Sequence, residues 1–336
     1  MTSLNDGNGE LMKVLITPMT MAGGKGPHVP ILQQAGFAMG YPGRVGQLTE
    51  EELLIALPGY TAVIAGSEPY TRKVIESSKG LRIIARAGVG YDAVDVTAAT
   101  DHGIVVCIAP GTNQDAVAEH TFALILAVAK RVVYHHTQLQ KQGWPRQPTI
   151  PLRGRVLGIA GLGRIGKAVA MRGAAFGMRL MAYEPFPEVQ FVSQHGITLV
   201  SFEQLLAESD FLSLHVPLTP QSKYLINRKT LALMKPTAFL INTARGSLVC
   251  EADLVAALND KKLAGAGLDV FENEPPGANP LFSFDNVIAT AHNAGVDLQS
   301  MDDMAVSCAR SIVALGRGEW PAEAVVNPEV RPQLSW

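Results

Sequence analysis

Charge of either sign is scarce in this chain, and neither sign prevails. Charged residues make up 17% of the 336, with 28 Lys and Arg against 30 Asp and Glu, a formal net charge of -2. No basic field is present to hold nucleic acid, and no Lys/Arg cluster to hold a membrane surface. Cysteine is nearly absent. Cys107, Cys250 and Cys308 are far apart, odd in number and form no CxxC. That excludes a disulfide framework and reads as reduced thiols of a cytosolic, hence cytoplasmic, protein. Long apolar runs are also missing. The longest, FALILAVA at 122–129, is far too short to span a bilayer. The N-terminus, MTSLNDGNGELM, lacks a basic segment followed by an apolar one, so residues 1–11 are expected to form a frayed tail, not a signal peptide.

What is present is an ordinary globular composition, 47% apolar, in a chain too long for one core. Short β-like runs alternate with helical patterns: KVLIT (13–17), AVIAG (62–66) and LRIIA (81–85), with HVPILQQAG (28–36) helix-like between them. That alternation predicts βαβ units on a parallel sheet. A long helix is predicted over 114–140, with Asn113 or Asp115 as N-cap, followed by a connector rich in Pro and Gly at 143–154. The alternation then restarts. RVLGIA (155–160), RLMAY (179–183), FLSLH (211–215), AFLIN (238–242), GAGLDV (265–270) and NVIAT (286–290) predict six strands covered on both faces. One more helix is predicted over 301–318. The expected layout is one domain from 12–109 plus 297–336, with a complete second domain from 110–296 inserted into it, and hinges near Pro110 and Gly295.

GIAGLGRIGKAVA places Gly161, Gly163 and Gly166 in G-x-G-x-x-G spacing after a strand and at the start of a helix. Gly161 permits the tight turn, Gly163 admits a pyrophosphate to the backbone, and Gly166 allows close helix–strand contact. The helix N-terminus offers N–H donors to phosphate, and Arg164 adds a cation. Glu184 ends the next strand, where a carboxylate accepts from both ribose hydroxyls and repels a 2′-phosphate. The pattern therefore points to NAD in preference to NADP.

Three features fall on loops after later strands: Arg245 in NTARGS, Asp269 and Glu274 in LDVFENEPP, and His292 in ATAHNAG. Taken singly, Arg245 also reads as a structural ion pair, His292 as a satisfied core histidine and Glu274 as a surface acid. Together, on consecutive loops at the carboxyl ends of strands, they read as one site.

These segments resemble the NAD-dependent D-2-hydroxyacid dehydrogenase family. The resemblance rests on GVGYDAVD (88–95), PGTNQDAVAEH (110–120), GIAGLGRIG (158–166), HVPLTPQSKYLIN (215–227), INTARGSLV (241–249), GAGLDVFENEP (265–275) and AHNAG (291–295). It implies two doubly wound α/β domains, a Rossmann NAD-binding domain within a flavodoxin-like substrate domain. It implies that Arg245, Glu274 and His292 carry the chemistry. Ile165, His215, Pro217, Thr243 and Asp269 would then join the glycines, Arg164 and Glu184 at the cofactor, and Asp269 would either tune the His–Glu network or face the nicotinamide. The backbone amides around Val89 and Gly90, with Arg245, would hold the carboxylate of a small 2-hydroxy or 2-oxo acid. No metal is needed, and the adjacent His135 and His136 read as helix-surface residues. The resemblance further implies a homodimer built from the region of the 114–140 helix. Asn293 departs from the family pattern, which has an apolar residue after the histidine.

Two related groups share parts of this pattern. Formate and phosphite dehydrogenases use the same three residue types, but the formate enzymes carry extra segments missing here. The C-terminal-binding-protein corepressors look similar and carry extended tails for partners, which this chain lacks. Among the hydroxyacids, 3-phosphoglycerate stays open. Bacterial phosphoglycerate dehydrogenases commonly carry a regulatory domain, and this chain stops at Trp336 without one. Arg86 offers a cation for a phosphate, whereas Glu68 in GSEPYT stands where that group tends to place basic residues.

Overall fold

The structure is a computed structural model describing residues 12–43 and 46–333, so the expected tail at 1–11 lies outside the described residues. In chain order the elements are β1 (Lys13–Ile16), α1 (His28–Gln34), β2 (Ala38–Gly40), α2 (Glu50–Ala56), β3 (Ala62–Ala65), α3 (Arg72–Ser77), β4 (Ile83–Arg86), α4 (Val96–Asp101) and β5 (Val105–Cys107). They continue with α5 (Gln114–Lys130), α6 (Val132–Gln140), β6 (Val156–Ala160), α7 (Arg164–Ala175), β7 (Arg179–Tyr183), α8 (Val189–Gln194), β8 (Thr198–Leu199), α9 (Phe202–Glu208) and β9 (Phe211–Leu214). The last are α10 (Arg228–Leu231), β10 (Phe239–Asn242), α11 (Glu251–Asn259), β11 (Gly265–Leu268), β12 (Val287–Ala289) and α12 (Leu298–Gly316). The chain divides into two compact units. Unit 1 takes the described residues up to Asn113 and those from Val296; unit 2 is Gln114–Gly295.

Unit 1 is a five-stranded parallel sheet in the order β2-β1-β3-β4-β5, the flavodoxin-like order. Alternate side chains feed opposite cores. Val14, Ile16, Ile83 and Ala85 pack toward α1 and α12, while Leu15, Val63 and Ile84 pack toward α2, α3 and α4. Burial on both faces explains why these strands read as unbroken apolar runs. The predicted 301–318 helix begins earlier, at Leu298, because the Asp297 side chain accepts from Ser300 N at 2.6 Å and caps it.

Unit 2 is a seven-stranded parallel sheet in the order β12-β11-β10-β9-β6-β7-β8, one strand more than predicted. The extra strand, β8, has two exposed residues and no apolar run to announce it. Leu157, Ile159, Phe211, Phe239 and Ile241 pack with α5 and α7 on one face; Leu212, Leu214, Leu240 and Leu268 pack with α9 and α11 on the other. Each such side chain contributes roughly 1.5–3 kcal/mol by leaving water. The order reverses between β6 and β9, the switch point at which α/β sheets bind ligands beyond their strand ends.

The helix predicted over 114–140 is two helices. Arg131 adopts φ 51° between α5 and α6. The returning connector ends α5: Ile150 N donates to Ala129 O at 3.1 Å, and Lys130 Nζ donates to Ile150 O at 2.6 Å. Arg131 reaches Gln147 at 2.7 Å and lies 4.0 Å over the Tyr134 ring.

Candidate active site

The glycine turn joins β6 to α7. A Cβ on Gly161 would stand 2.7 Å from His215 O, and one on Gly166 would stand 2.1 Å from Gly161 O. Glycine is therefore required at both, and strand, helix and the His215 segment close on one turn. Gly163 has nothing within 4 Å of its would-be Cβ, leaving room beside the first amides of α7. Arg164 there is exposed and Ile165 half-buried. Glu184 folds over this turn, accepting from Leu162 N at 2.8 Å and Phe186 N at 3.0 Å. An open helix N-terminus beside a fixed carboxylate fits the diphosphate and ribose of a dinucleotide.

Of the other residues assigned to the cofactor, Pro217 is exposed and His215 is half-buried. The His215 ring bonds Ser213 Oγ through Nε2 at 2.7 Å, its Nδ1 has no partner, and burial pushes it down to about 3, so the ring is neutral. Thr243 is buried, and its hydroxyl meets Thr121 Oγ1 at 2.9 Å. Thr121 donates to Val117 O at 2.7 Å, so Thr243 is the donor between them.

Arg245 leaves the end of β10 on a braced turn. Asn242 accepts from Ala244 N at 3.0 Å and donates to Arg245 O at 2.8 Å. A Cβ on Gly246 would lie 1.9 Å from the Phe271 carbonyl, so only glycine lets this turn press against the Glu274 loop. Arg245 Nη1 donates to Ala244 O at 2.7 Å, and its charge reaches Glu274.

Glu274 accepts from Phe271 N at 3.0 Å through Oε1, and its Oε2 lies 2.7 Å from His292 Nδ1. Burial pushes its carboxyl up, but the bond and charge of His292, the Phe271 amide and the charge of Arg245 together hold it below the usual range. An ionised carboxylate only accepts, so Nδ1 carries the hydrogen. Nε2 is not part of that bond, and the His292 side chain is 41% exposed.

Asp269, expected either to tune the His–Glu network or to face the nicotinamide, is 0% exposed. Its carboxylate accepts from Thr290 Oγ1 at 2.6 Å, Asn293 N at 2.9 Å and Ala294 N at 2.8 Å, and His120 Nε2 lies 3.4 Å away. Burial opposes its charge, but these bonds, that of His120 first, hold the carboxyl below its usual value. Asp269 thus holds the loop of His292. His120, Thr290, Asn242 and Ser213 escaped the sequence reading; the only signal was the final His of PGTNQDAVAEH.

In unit 1, Val89 and Gly90 are half-buried just beyond β4. Arg86 donates through Nε to Gly90 O at 2.9 Å and through Nη1 to Ala65 O at 3.1 Å and to Gly66 O. Glu68 is buried against Gly66, with Oε2 lacking a hydrogen-bond partner.

Comparison with known proteins identifies the family. A family profile described as D-isomer specific 2-hydroxyacid dehydrogenase, NAD binding domain, matches residues 122–294. The chain is 41% identical over 290 residues to D-3-phosphoglycerate dehydrogenase of Methanocaldococcus jannaschii, covering 85% of this chain and 55% of that protein. It is 42% identical over 271 residues to glyoxylate reductase of Korarchaeum cryptofilum, covering 79% of this chain and 81% of that one. The chain thus spans about half the length of the first of these and most of the second. The crystal structure of D-lactate dehydrogenase from Aquifex aeolicus complexed with NAD and lactic acid matches with a TM-score of 0.82 and 29% identity, over 93% of this chain and 98% of that one. With an NAD-binding domain profile over half its length, the chain belongs to the D-isomer specific 2-hydroxyacid dehydrogenase family.

Proposed function

We propose that the protein is an NAD-dependent oxidoreductase that interconverts a D-2-hydroxyacid and its 2-oxoacid. The observation that carries this is the linked set of Arg245, Glu274 and His292, with His292 Nδ1 donating to Glu274 at 2.7 Å. NAD, when bound, would supply the hydride acceptor, and NADH the hydride donor. Gly161, Gly163, Gly166, Arg164, Ile165 and Glu184 hold the dinucleotide, with His215, Pro217 and Thr243 shaping its surroundings.

The chain's own residues do the rest. Arg245, a permanent cation with a forked donor set, anchors the substrate carboxylate and orients the carbonyl. His292 gives its Nε2 proton to the developing alkoxide in reduction and takes it back in oxidation. Glu274 fixes the ring through Nδ1.

Small unphosphorylated oxoacids are the preferred substrates in this reading. Arg86 spends Nε and Nη1 on carbonyls, and the buried Glu68 beside it opposes a phosphate. The name borne by the Methanocaldococcus relative keeps 3-phosphoglycerate as the second reading. The enzyme works as a cytoplasmic homodimer. Val132, Val133 and Leu139 on α6 and Trp144 after it are exposed apolar residues of the kind a second copy covers. Among the described residues no helix is long and apolar enough to cross a membrane. The test is kcat/KM for 3-phosphoglycerate oxidation beside glyoxylate, hydroxypyruvate and 2-oxobutyrate reduction. Efficient reduction of an unphosphorylated acid supports the reading, and turnover of none of them refutes it.

A further inference from the structure

We infer that His120 is a positioning residue for His292, acting through Thr290 and Asp269; the inference rests on the role given to His292 above. His292 has φ 55°, a left-handed conformation disfavoured for any residue with a Cβ. Its loop must therefore be held from outside. Thr290 N donates to Leu268 O at 2.9 Å and His292 N to Asp269 O at 2.8 Å. The Asn293 and Ala294 amides and the Thr290 hydroxyl all converge on the Asp269 carboxylate.

The direction of the chain follows from counting hydrogens. Thr290 has one hydroxyl hydrogen, and the ionised Asp269 can only accept it, at 2.6 Å. The Thr290 oxygen is then the acceptor for His120 Nε2 at 2.9 Å, so Nε2 must carry a hydrogen. His120 lies on α5, 170 residues from Thr290 in sequence, and its side chain is 22% exposed. It fixes the Thr290 rotor so that the hydroxyl points to Asp269. Asp269 in turn holds the 290–294 loop in the shape that brings the His292 ring to Glu274.

The test compares His120→Leu, His120→Gln and His120→Asn with Thr290→Val and the His120→Leu/Thr290→Val pair. A Gln amide reaches the place of the imidazole Nε2 and donates there; an Asn amide falls short, and Leu fills the space without donating. Glyoxylate reduction by NADH should lose about 10-fold or more in kcat in the Leu and Asn variants. KM should stay within about twofold, and Gln should recover most of the rate. Thr290→Val should reproduce the loss, and the pair should be no worse than its worse member. The His292 Nδ1–H signal, assigned by its absence in His292→Gln, should weaken in His120→Leu and persist in His120→Gln. Equal rates for Leu, Asn and Gln, or additive losses in the pair, would overturn the assignment. If the wild type reduces no 2-oxoacid, the proposed function fails, and the spectrum still decides: an unchanged His292 signal in His120→Leu or His120→Asn removes His120 from the chain.

Discussion

His292 Nδ1 stands 2.7 Å from Glu274 Oε2, and the acid is itself pinned to Phe271 N at 3.0 Å. One proton of the ring is thereby committed, and the opposite nitrogen is left to exchange the other. The carboxyl of Glu274 is held below its usual value, burial notwithstanding, by His292 and then by the Phe271 amide and Arg245. A depressed carboxyl is charged above that value and loses its charge only as pH falls through it.

The pH dependence of reduction follows. The wild type should keep the pair intact down through the ordinary Glu range, near pH 4.3. Glu274→Gln retains a partner for the ring but removes the charge. Its kcat/KM for oxoacid reduction should fall about 10-fold at neutral pH and recover toward acid. A profile superimposable on wild type would remove Glu274 from its role.

Cofactor preference tests Glu184, whose carboxylate is fixed over the glycine turn by Leu162 N and Phe186 N. NADH should exceed NADPH by about 100-fold in kcat/KM, equivalent to roughly 2.7 kcal/mol. Glu184→Gln should narrow that ratio. Equal use of both cofactors by the wild type would show the ribose assignment to be wrong.

Asp269→Asn tests the loop anchor by stability. Losing the charge under its several donors should cost about 3 kcal/mol at neutral pH. At roughly 2–4 °C per kcal/mol for a unit of this size, Tm should drop by about 6–12 °C. The folded Asp269 value is depressed, so its contribution is complete above the unfolded value near 3.9 and is lost as pH falls through the folded one. The difference between variant and wild type should thus persist at pH 5 and shrink only in stronger acid. Equal melting curves at pH 7 would contradict this.

Glu68 bears on the choice of acid. Buried, with Oε2 lacking a hydrogen-bond partner, it should disfavour a phosphate tail, so hydroxypyruvate should be reduced with higher kcat/KM than its phosphorylated counterpart. Glu68→Gln should narrow the gap. A wild type that prefers the phosphorylated acid would favour the second reading.

Much of this was legible because chemistry restricts which residues can stand at strand ends. Two of the three glycines of the β6–α7 turn, Gly161 and Gly166, are demanded by backbone atoms 2.7 and 2.1 Å from their missing side chains, and no other residue fits at those two positions. Arg245, Glu274 and His292 likewise admit few substitutes for their tasks. Other features were not legible because they join distant positions. His120 meets Thr290 across 170 residues, a separation no local pattern spans. The break at Arg131 is imposed by a connector returning to Ala129 and Lys130, with no Gly or Pro at the break to announce it. Asp269 read from its motif as tuning the His–Glu network or facing the nicotinamide; only the fold reveals the donors gathered on its buried carboxylate.

The most direct measurement is steady-state 2-oxoacid reduction by NADH in wild type, His292→Gln and Arg245→Lys. His292→Gln should lower kcat by ~10²- to 10⁴-fold while NADH still binds. Arg245→Lys keeps the charge but loses the fork, and should raise KM as well as lower kcat. An Arg245→Lys enzyme with wild-type kcat and KM would mean that Arg245 serves a structural anion, contradicting the hydroxyacid account at its centre.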